Sequence, residues 1–427
     1  MLLEFRVKNY RSIRDEQKLS LIASADKEMV DSHLMPTGLK TLGKVVRSAV
    51  VYGPNASGKS NLLVALAFMR AVVAESATVI QAGQQYPVQP FQLDAQTSKE
   101  PSEFEITFAE DGVRYQYGFS LLPEYVVNEW LLVYRTAKPQ QWFERRFDSQ
   151  TKTHKYEFGS HLTGSRKLWQ DSTRPNALFL STAVQLNSDL LRPVFTAIVE
   201  RLVYFPAGAM PAPDFTTAML NDPAKKNAVQ NFLSSADTGI SDIQTVARKG
   251  FHQRFEFSPT GSPTQSAAEA YEMQMPQFVH KTAAGSARFE FNDESLGTQR
   301  LYSFAAPVLD VLANGKLLVV DELDSSLHTL LVRRLVSMFH SAVSNPNGAQ
   351  LVFSTHDTSL LEDTLFRRDQ IWFTEKGRDQ ATKLFPLTDF SPRKKEALER
   401  GYLAGRYGAV PFFTDLSAVL NTIKVAD

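Results

Sequence analysis

The chain has no cysteine. That excludes disulfides, thiolate-held zinc and a cysteine nucleophile, and it suits a reducing compartment. Net charge is missing too, because Lys plus Arg and Asp plus Glu each number 46. No global basic field exists to hold nucleic acid, and only local patches remain for that role. No run of about 18 apolar residues occurs, so no transmembrane helix and no membrane partner are expected. The start, MLLEFRVKNYRSI, places Glu4 and Arg6 inside its apolar stretch and lacks a secretory h-region. A cytoplasmic location is the expectation that follows. The sequence also has no D-x-D and no [NT]-K-x-D, which leaves no sign of a nuclease centre or of a guanine-reading GTPase motif.

What is present is ordinary globular material. The 427 residues are 43% hydrophobic and 22% charged, enough for a sizeable core in one large discontinuous domain or in two or three units. Leu3, Phe5 and Val7 alternate with charged neighbours, as in a half-buried strand. VVRSAVVY, residues 45–52, predicts an apolar strand, and SNLLVALAFMRAVVAES after it predicts a helix with Leu62, Leu66, Met69 and Val73 on one face. FEITF and VRYQYGF alternate around Asp111–Gly112, a hairpin signal. VVNEWLLVYR and WFERRF continue as strands, and residues 173–205 turn helical. A short helix over 227–235, a loop over 258–268 and a hairpin from QFVHKT and ARFEFN follow. KLLVVDE and AQLVFSTHD are apolar strands separated by a helix, and RRDQIWFTE is one more strand. Apolar strands alternating with helices imply a parallel sheet covered on both faces, assembled here from both ends of the chain.

GPNASGKS, residues 53–60, fits G-x-x-x-x-G-K-[ST]. By average residue usage a chain of this length meets the pattern by chance roughly once in a hundred times. Here a strand precedes it and an amphipathic helix follows. Glycines let such a loop curl so that N–H groups converge on phosphate oxygens, and the helix N-terminus adds positive potential. Gly53, Pro54, Asn55, Ala56, Ser57, Gly58, Lys59, Ser60 and Asn61 are the candidate nucleotide contacts. Lys59 is the phosphate cation and Ser60 a Mg²⁺ ligand. A P-loop also needs a strand-borne acid. LLVVDE supplies Asp321 for Mg²⁺ and Glu322 as the base for the attacking water.

Lys59 and Glu322 lie 263 residues apart. Compact GTPases and ring ATPases place this acid much sooner, and the wide split is the layout of the ABC class. That layout demands a helix N-terminus offered to the nucleotide of another copy. ESLGTQR opens a helix about 20 residues before the acidic strand and makes Ser295, Gly297 and Thr298 the candidates. A plain helix N-cap has the same sequence. Pro307 falls inside that helix and should bend it. His356, at a strand end, is a γ-phosphate candidate, and Asp324 and Ser325 are candidates for a dimer-contacting loop. Gln89 and Gln92 are weak candidates for sensing Mg²⁺. Arg11 and Arg47 have the charge for phosphate, though surface roles suit them better. The clusters Arg145–Arg146, Lys225–Lys226 and Arg393–Lys395 read first as solvated faces.

Together EFRVKNYRSI, YGPNASGKSNL, ESLGTQRL, LLVVDELDSSLH, LVFSTHD and GYLAGRYGAVPFF resemble the AAA15 group of ABC-type ATPases, relatives of the RecF and OLD proteins. The similarity is weak over about residues 150–285. Leu296 stands where transporters carry a glycine, and 71 residues after His356 leave little room for the nuclease domain of OLD proteins. The resemblance implies an ABC/SMC-like α/β head with a mixed, largely parallel sheet, an antiparallel β lobe, an inserted helical subdomain and a helical C-terminal tail. The divisions expected are 1–170 and 251–390 for the two halves of the head, 171–250 for the helical insertion and 391–427 for the tail. It implies ATP and Mg²⁺ as cofactors, and a homodimer or higher homo-oligomer with ATP sites between subunits. RloA, PARIS and Septu ATPases further imply a sensor or regulator of a separate effector encoded nearby, in anti-phage defence. The alternative is a RecF-like ATP-gated DNA-binding protein, which the neutral charge does not favour.

Overall fold

The structure is a computed structural model and describes residues 1–236, 238–252, 255–256, 264–265, 269–393 and 396–411. Its chain divides into two compact units. The first comprises Met1–Ala207, Gly315–Leu323 and Arg333–Asp427, and the second Gly208–Asn314 and Asp324–Val332. The sequence reading drew a helical insertion at 171–250. Residues 171–207 lie within the first unit, and the second extends to Asn314.

The first unit holds two large sheets and a small pair, Leu34–Leu39 with Leu42–Val46. One is six-stranded, in the order Leu202–Phe205, Leu317–Val320, Gln350–Ser354, Ser48–Tyr52, Ile371–Lys376 and Thr382–Pro386. The first five strands run parallel and only the last is antiparallel. Ser48–Tyr52, Leu317–Val320 and Gln350–Ser354 are buried along their whole length, as strands covered on both faces must be. The other sheet is an antiparallel lobe of seven strands: Thr153–Phe158, Gln140–Asp148, Val126–Tyr134, Val113–Leu121, Ser102–Glu110, Leu2–Lys8 and Gln17–Ser20. Its Asp111–Gly112 hairpin has positive φ at both turn residues, the geometry that Asp-Gly favours. This is the mixed α/β class expected from the pattern.

One strand lies where a helix was expected. RLVYF was read as helix, yet Leu202–Phe205 is the edge strand beside Leu317–Val320. Four residues carry too little periodicity to tell helix from strand, and parallel pairing decides it. VVRSAVVY is also broken: one strand ends at Val46 and the next begins at Ser48.

Helix Lys59–Glu75 packs Leu62, Leu66, Met69 and Val73 into the same core as the inner faces of both sheets. Arg145 was read as part of a solvated basic cluster. It is completely buried and pairs with Glu129 at 3.4 Å. Glu129 also accepts from Phe179 N at 2.6 Å, Leu180 N at 2.9 Å and the Tyr117 hydroxyl at 3.0 Å. The carboxylate thereby caps helix Phe179–Gln185 and ties it to the antiparallel lobe. Arg146, by contrast, is exposed beside Glu144, and residues 394 and 395 of the third cluster lie outside the described residues.

The second unit contains helices Asp214–Met219, Pro223–Ser234 and Leu296–Asn314, with Pro307 inside the last. It also has an antiparallel sheet of Ile240–His252, Glu269–Thr282 and Gly285–Glu290, so it is more than a helical insertion. Most of the expected 258–268 loop, and residues 412–427 of the expected tail, lie outside the described residues. Among the described residues no helix is long and apolar enough to cross a membrane.

Candidate active site

The strand Ser48–Tyr52 ends at Gly53, and the loop 53–58 leads directly into helix Lys59–Glu75. Gly53 and Gly58 both have positive φ, at 156° and 108°, and so does Ala56 at 62°. Space matters as much as φ. A Cβ at Gly53 would overlap the Thr374 carbonyl, and one at Gly58 would overlap the Thr382 hydroxyl. The loop is therefore pressed against the neighbouring strands and tolerates only glycine at both places. Lys59 is 5% exposed, and its Nζ donates to the carbonyls of Gly53 at 2.8 Å and Pro54 at 3.2 Å. The ammonium is thus held within the curl of the loop.

The loop is clamped by residues that the motif does not contain. Ser57 Oγ and Thr374 Oγ1 are 2.6 Å apart, and Thr382 Oγ1 donates to the Ser57 carbonyl at 2.8 Å. Ser12 Oγ lies 2.7 Å from Thr382 Oγ1 and accepts from Asn61 Nδ2 at 2.7 Å. Sequence reading missed Ser12, Thr374 and Thr382. Their only signal is a hydroxyl residue near a strand, and the sheet order that brings them to the loop is not local information.

Parallel register carries the acids to the same end of the sheet. Val320 pairs with Phe353, and Ser354 with Val51, so Asp321, His356 and Gly53 all follow the carboxyl ends of adjacent strands. That end is where ligands bind in open α/β sheets. Ser354 joins two of the candidates: its Oγ donates to Asp321 Oδ1 at 2.5 Å and accepts from Glu322 N at 2.8 Å. Glu322 has a φ of 51°, a left-handed conformation that costs a non-glycine residue about 1–2 kcal/mol. The Ser354 bond helps hold it there. His356 is exposed just past the strand.

Asp321 is 2% exposed, and its hydrogen-bond partner is the Ser354 hydroxyl, with no Lys or Arg paired to it among the described residues. Buried carboxylates are normally paired or coordinate a metal. No cluster of three His, Asp or Glu surrounds it among the described residues. One carboxylate and the Ser60 hydroxyl suit a cation that draws its other ligands from water and phosphate, as Mg²⁺ does.

Arg11 and Arg47 separate cleanly. Arg11 Nη1 reaches Asn61 Oδ1 at 3.4 Å, and Arg11 N donates to the Gln89 carbonyl at 2.6 Å. Arg11, Ser12, Gln89, Gln92, Lys376 and Gln380 line one cleft of about 490 Å³. The structure thus places the glutamine segment near the first turn of the P-loop helix. Arg47 stands before Ser48, at the opposite strand end, roughly 20 Å from Gly53 by strand rise. It is 8% exposed, with its guanidinium on the Asn345 carbonyl, so neither the phosphate role nor the surface role fits it.

In the second unit, Ser295 caps helix Leu296–Asn314. Its Oγ accepts from Thr298 N at 3.2 Å and lies 2.9 Å from Thr298 Oγ1. The plain cap is therefore real. Leu296 beside it is 64% exposed. Gly297 has no positive φ, but a Cβ there would sit 3.1 Å from the Ser326 carbonyl. The 324–326 turn, which contains Asp324 and Ser325 and closes with Leu327 N on the Asp324 carbonyl, thus packs on the helix tip.

Comparison with known proteins adds a family. The model described as "AAA domain, putative AbiEii toxin, Type IV TA system" matches residues 48–362. No curated protein matches the chain. Among solved structures, the chain is similar to one titled "Crystal structure of the SmcHead bound to the C-winged helix domain of ScpA". The identity is 13% and the TM-score 0.40, covering 90% of this chain and 97% of that one.

Proposed function

The chain belongs to this AAA-domain family, and from that premise we propose that it binds ATP with Mg²⁺ and hydrolyses it at sites completed by a second copy of itself. The observation that carries the reading is the convergence of the 53–60 loop, Asp321, Glu322 and His356 at one end of one parallel sheet. The loop amides and Lys59 hold the phosphates, as the curl and the helix N-terminus favour. Mg²⁺, when bound, neutralises the developing phosphate charge, with Ser60 and Asp321 as its protein contacts. Glu322 orients the attacking water and takes its proton, and the fixed left-handed backbone keeps its carboxylate in place. His356 donates to the terminal phosphate. Ser295, Gly297 and Thr298 present their helix tip to the nucleotide of the other copy, and Leu296 is covered in that contact.

The same premise supports a biological setting. The family description names a toxin and a toxin–antitoxin system, in line with an ATPase that senses or restrains a separate effector in anti-phage defence. A DNA clamp has less support, since the formal charge is zero.

Glu322→Gln tests the chemistry and the assembly together. Hydrolysis should fall by about 10²- to 10⁴-fold with ATP binding retained. Solution mass should rise from monomer toward dimer when ATP is added. A monomer with and without ATP would sink the composite site, and undiminished hydrolysis would remove Glu322 as the base.

A further inference from the structure

We infer that Tyr204 is a positioning residue of this site, its hydroxyl oxygen accepting a hydrogen bond from a hydration water of the divalent cation beside Asp321. The inference rests on the Mg²⁺–ATP reading above. Tyr204 belongs to the edge strand Leu202–Phe205, which pairs in parallel with the acidic strand. Tyr204 stands opposite Val319 and Phe205 opposite Val320, and the Phe205 carbonyl accepts from Asp321 N at 2.9 Å. The tyrosine therefore lies on the strand next to the acid, close to its level.

The phenol ring packs against the core shared with helix Lys59–Glu75. Its hydroxyl is shielded from solvent and has no hydrogen-bond partner among the described residues. Buried hydroxyls nearly always have one, and a phenylalanine would fill the same space without the loss. The groups near enough to act on the hydroxyl electrostatically are Asp321, Arg11 and Tyr10. Two of these three belong to the site or adjoin its first helical turn. Burial, and after it the Asp321 charge, push the phenol up to about 12, so at neutral pH the hydroxyl stays protonated and uncharged. Tyr204 and Asp321 feel each other without a direct hydrogen bond. A bridging water satisfies both, and a strongly hydrated cation retains such waters.

Tyr204→Phe removes only the oxygen. Binding of a fluorescent ATP analogue would be titrated with Mg²⁺ and with EDTA, for the wild-type chain and the variant. Affinity in EDTA should agree within about twofold, because the ring and the phosphate loop are untouched. The gain in affinity that Mg²⁺ brings should shrink by about tenfold, the scale of one hydrogen bond in a charged setting. Thermal unfolding without nucleotide should be unchanged or slightly raised. An unchanged Mg²⁺ gain would overturn the inference, and so would a lowered unfolding temperature with the Mg²⁺ gain intact, which would assign the hydroxyl to the fold. A wild-type chain that binds no ATP would defeat the nucleotide reading and this inference with it. Normal wild-type binding with an indifferent variant defeats this inference alone.

Discussion

The loop at 53–60 and the helix tip at 295–298 are both glycine-containing helix starts, and they are built in opposite ways. The first is sunk in a sheet. Its glycines have positive φ and touch strands more than 300 residues away, and its Ser57 is held by Thr374 and Thr382. The second is a surface cap made by a neighbour three residues away, with an exposed leucine at its point. A site that must grip alone needs a backbone that cannot relax. A tip proposed to complete a site on another copy needs exposure and a shape free of bulk. The contrast teaches that the two glycine positions serve different ends, and substitution can separate them.

Gly58→Ala should have the largest effect. The new methyl would meet the Thr382 hydroxyl and also require a φ near 108°. Strain of about 1–3 kcal/mol plus overlap should displace the loop and weaken ATP binding by 100-fold or more, measured by titration with a fluorescent analogue. Binding within tenfold of wild type would show that the loop yields, and the contrast with the helix tip would dissolve.

Gly297→Glu should leave binding by the isolated chain within about twofold. It should abolish ATP-driven association and lower hydrolysis by at least about 100-fold, because a like charge would face phosphate across the contact. Gly297→Ala is the sharper control. At 3.1 Å from the Ser326 carbonyl the methyl needs only a small shift, so its loss should be much milder than that of Gly58→Ala. Sedimentation with and without ATP, beside a phosphate-release assay, reads both. Equal damage from the two alanines would mean that the tip is as constrained as the loop.

The same contrast governs what the sequence made legible. GPNASGKS and LLVVDE could be read because their chemistry sits in consecutive residues, and the strands around them are apolar throughout. The clamp of Ser12, Thr374 and Thr382 could not, since it depends on which strand lies beside Ser48–Tyr52. RLVYF failed for a related reason: only its partner Leu317–Val320 makes it a strand. Arg47 and Arg145 read as surface charge because a buried arginine is recognised only through the carbonyls and carboxylate that receive it. Local patterns marked out the parts proposed to bind, and long-range pairing decided what holds them.

The smallest effect concerns the opposite end of the sheet, which the nucleotide site does not share. His33 and His340 lie with ring centroids 3.9 Å apart. His340 Nε2 is 2.8 Å from Ser48 Oγ, and His33 Nε2 lies 3.0 Å from the Leu365 carbonyl. Burial holds both imidazoles below the usual histidine value, and for His340 the nearby His33 and Arg47 add to it. Among charged groups around His33, Arg367 opposes a proton and Asp369 favours one. Both histidines are thus neutral when folded and take up protons more readily when unfolded. The sign follows: their contribution is complete above the unfolded value of about 6.5 and is lost as pH falls below it toward the depressed folded values. The unfolding temperature should therefore decline from about pH 6.5 toward pH 5, with a shallower decline in His340→Gln. ATP affinity should change little over the same range, because these rings sit at the strand starts and not at Gly53. If affinity fell in step with stability, the two ends of the sheet would be coupled, and the loop would owe its rigidity to the whole sheet and not to its own clamp.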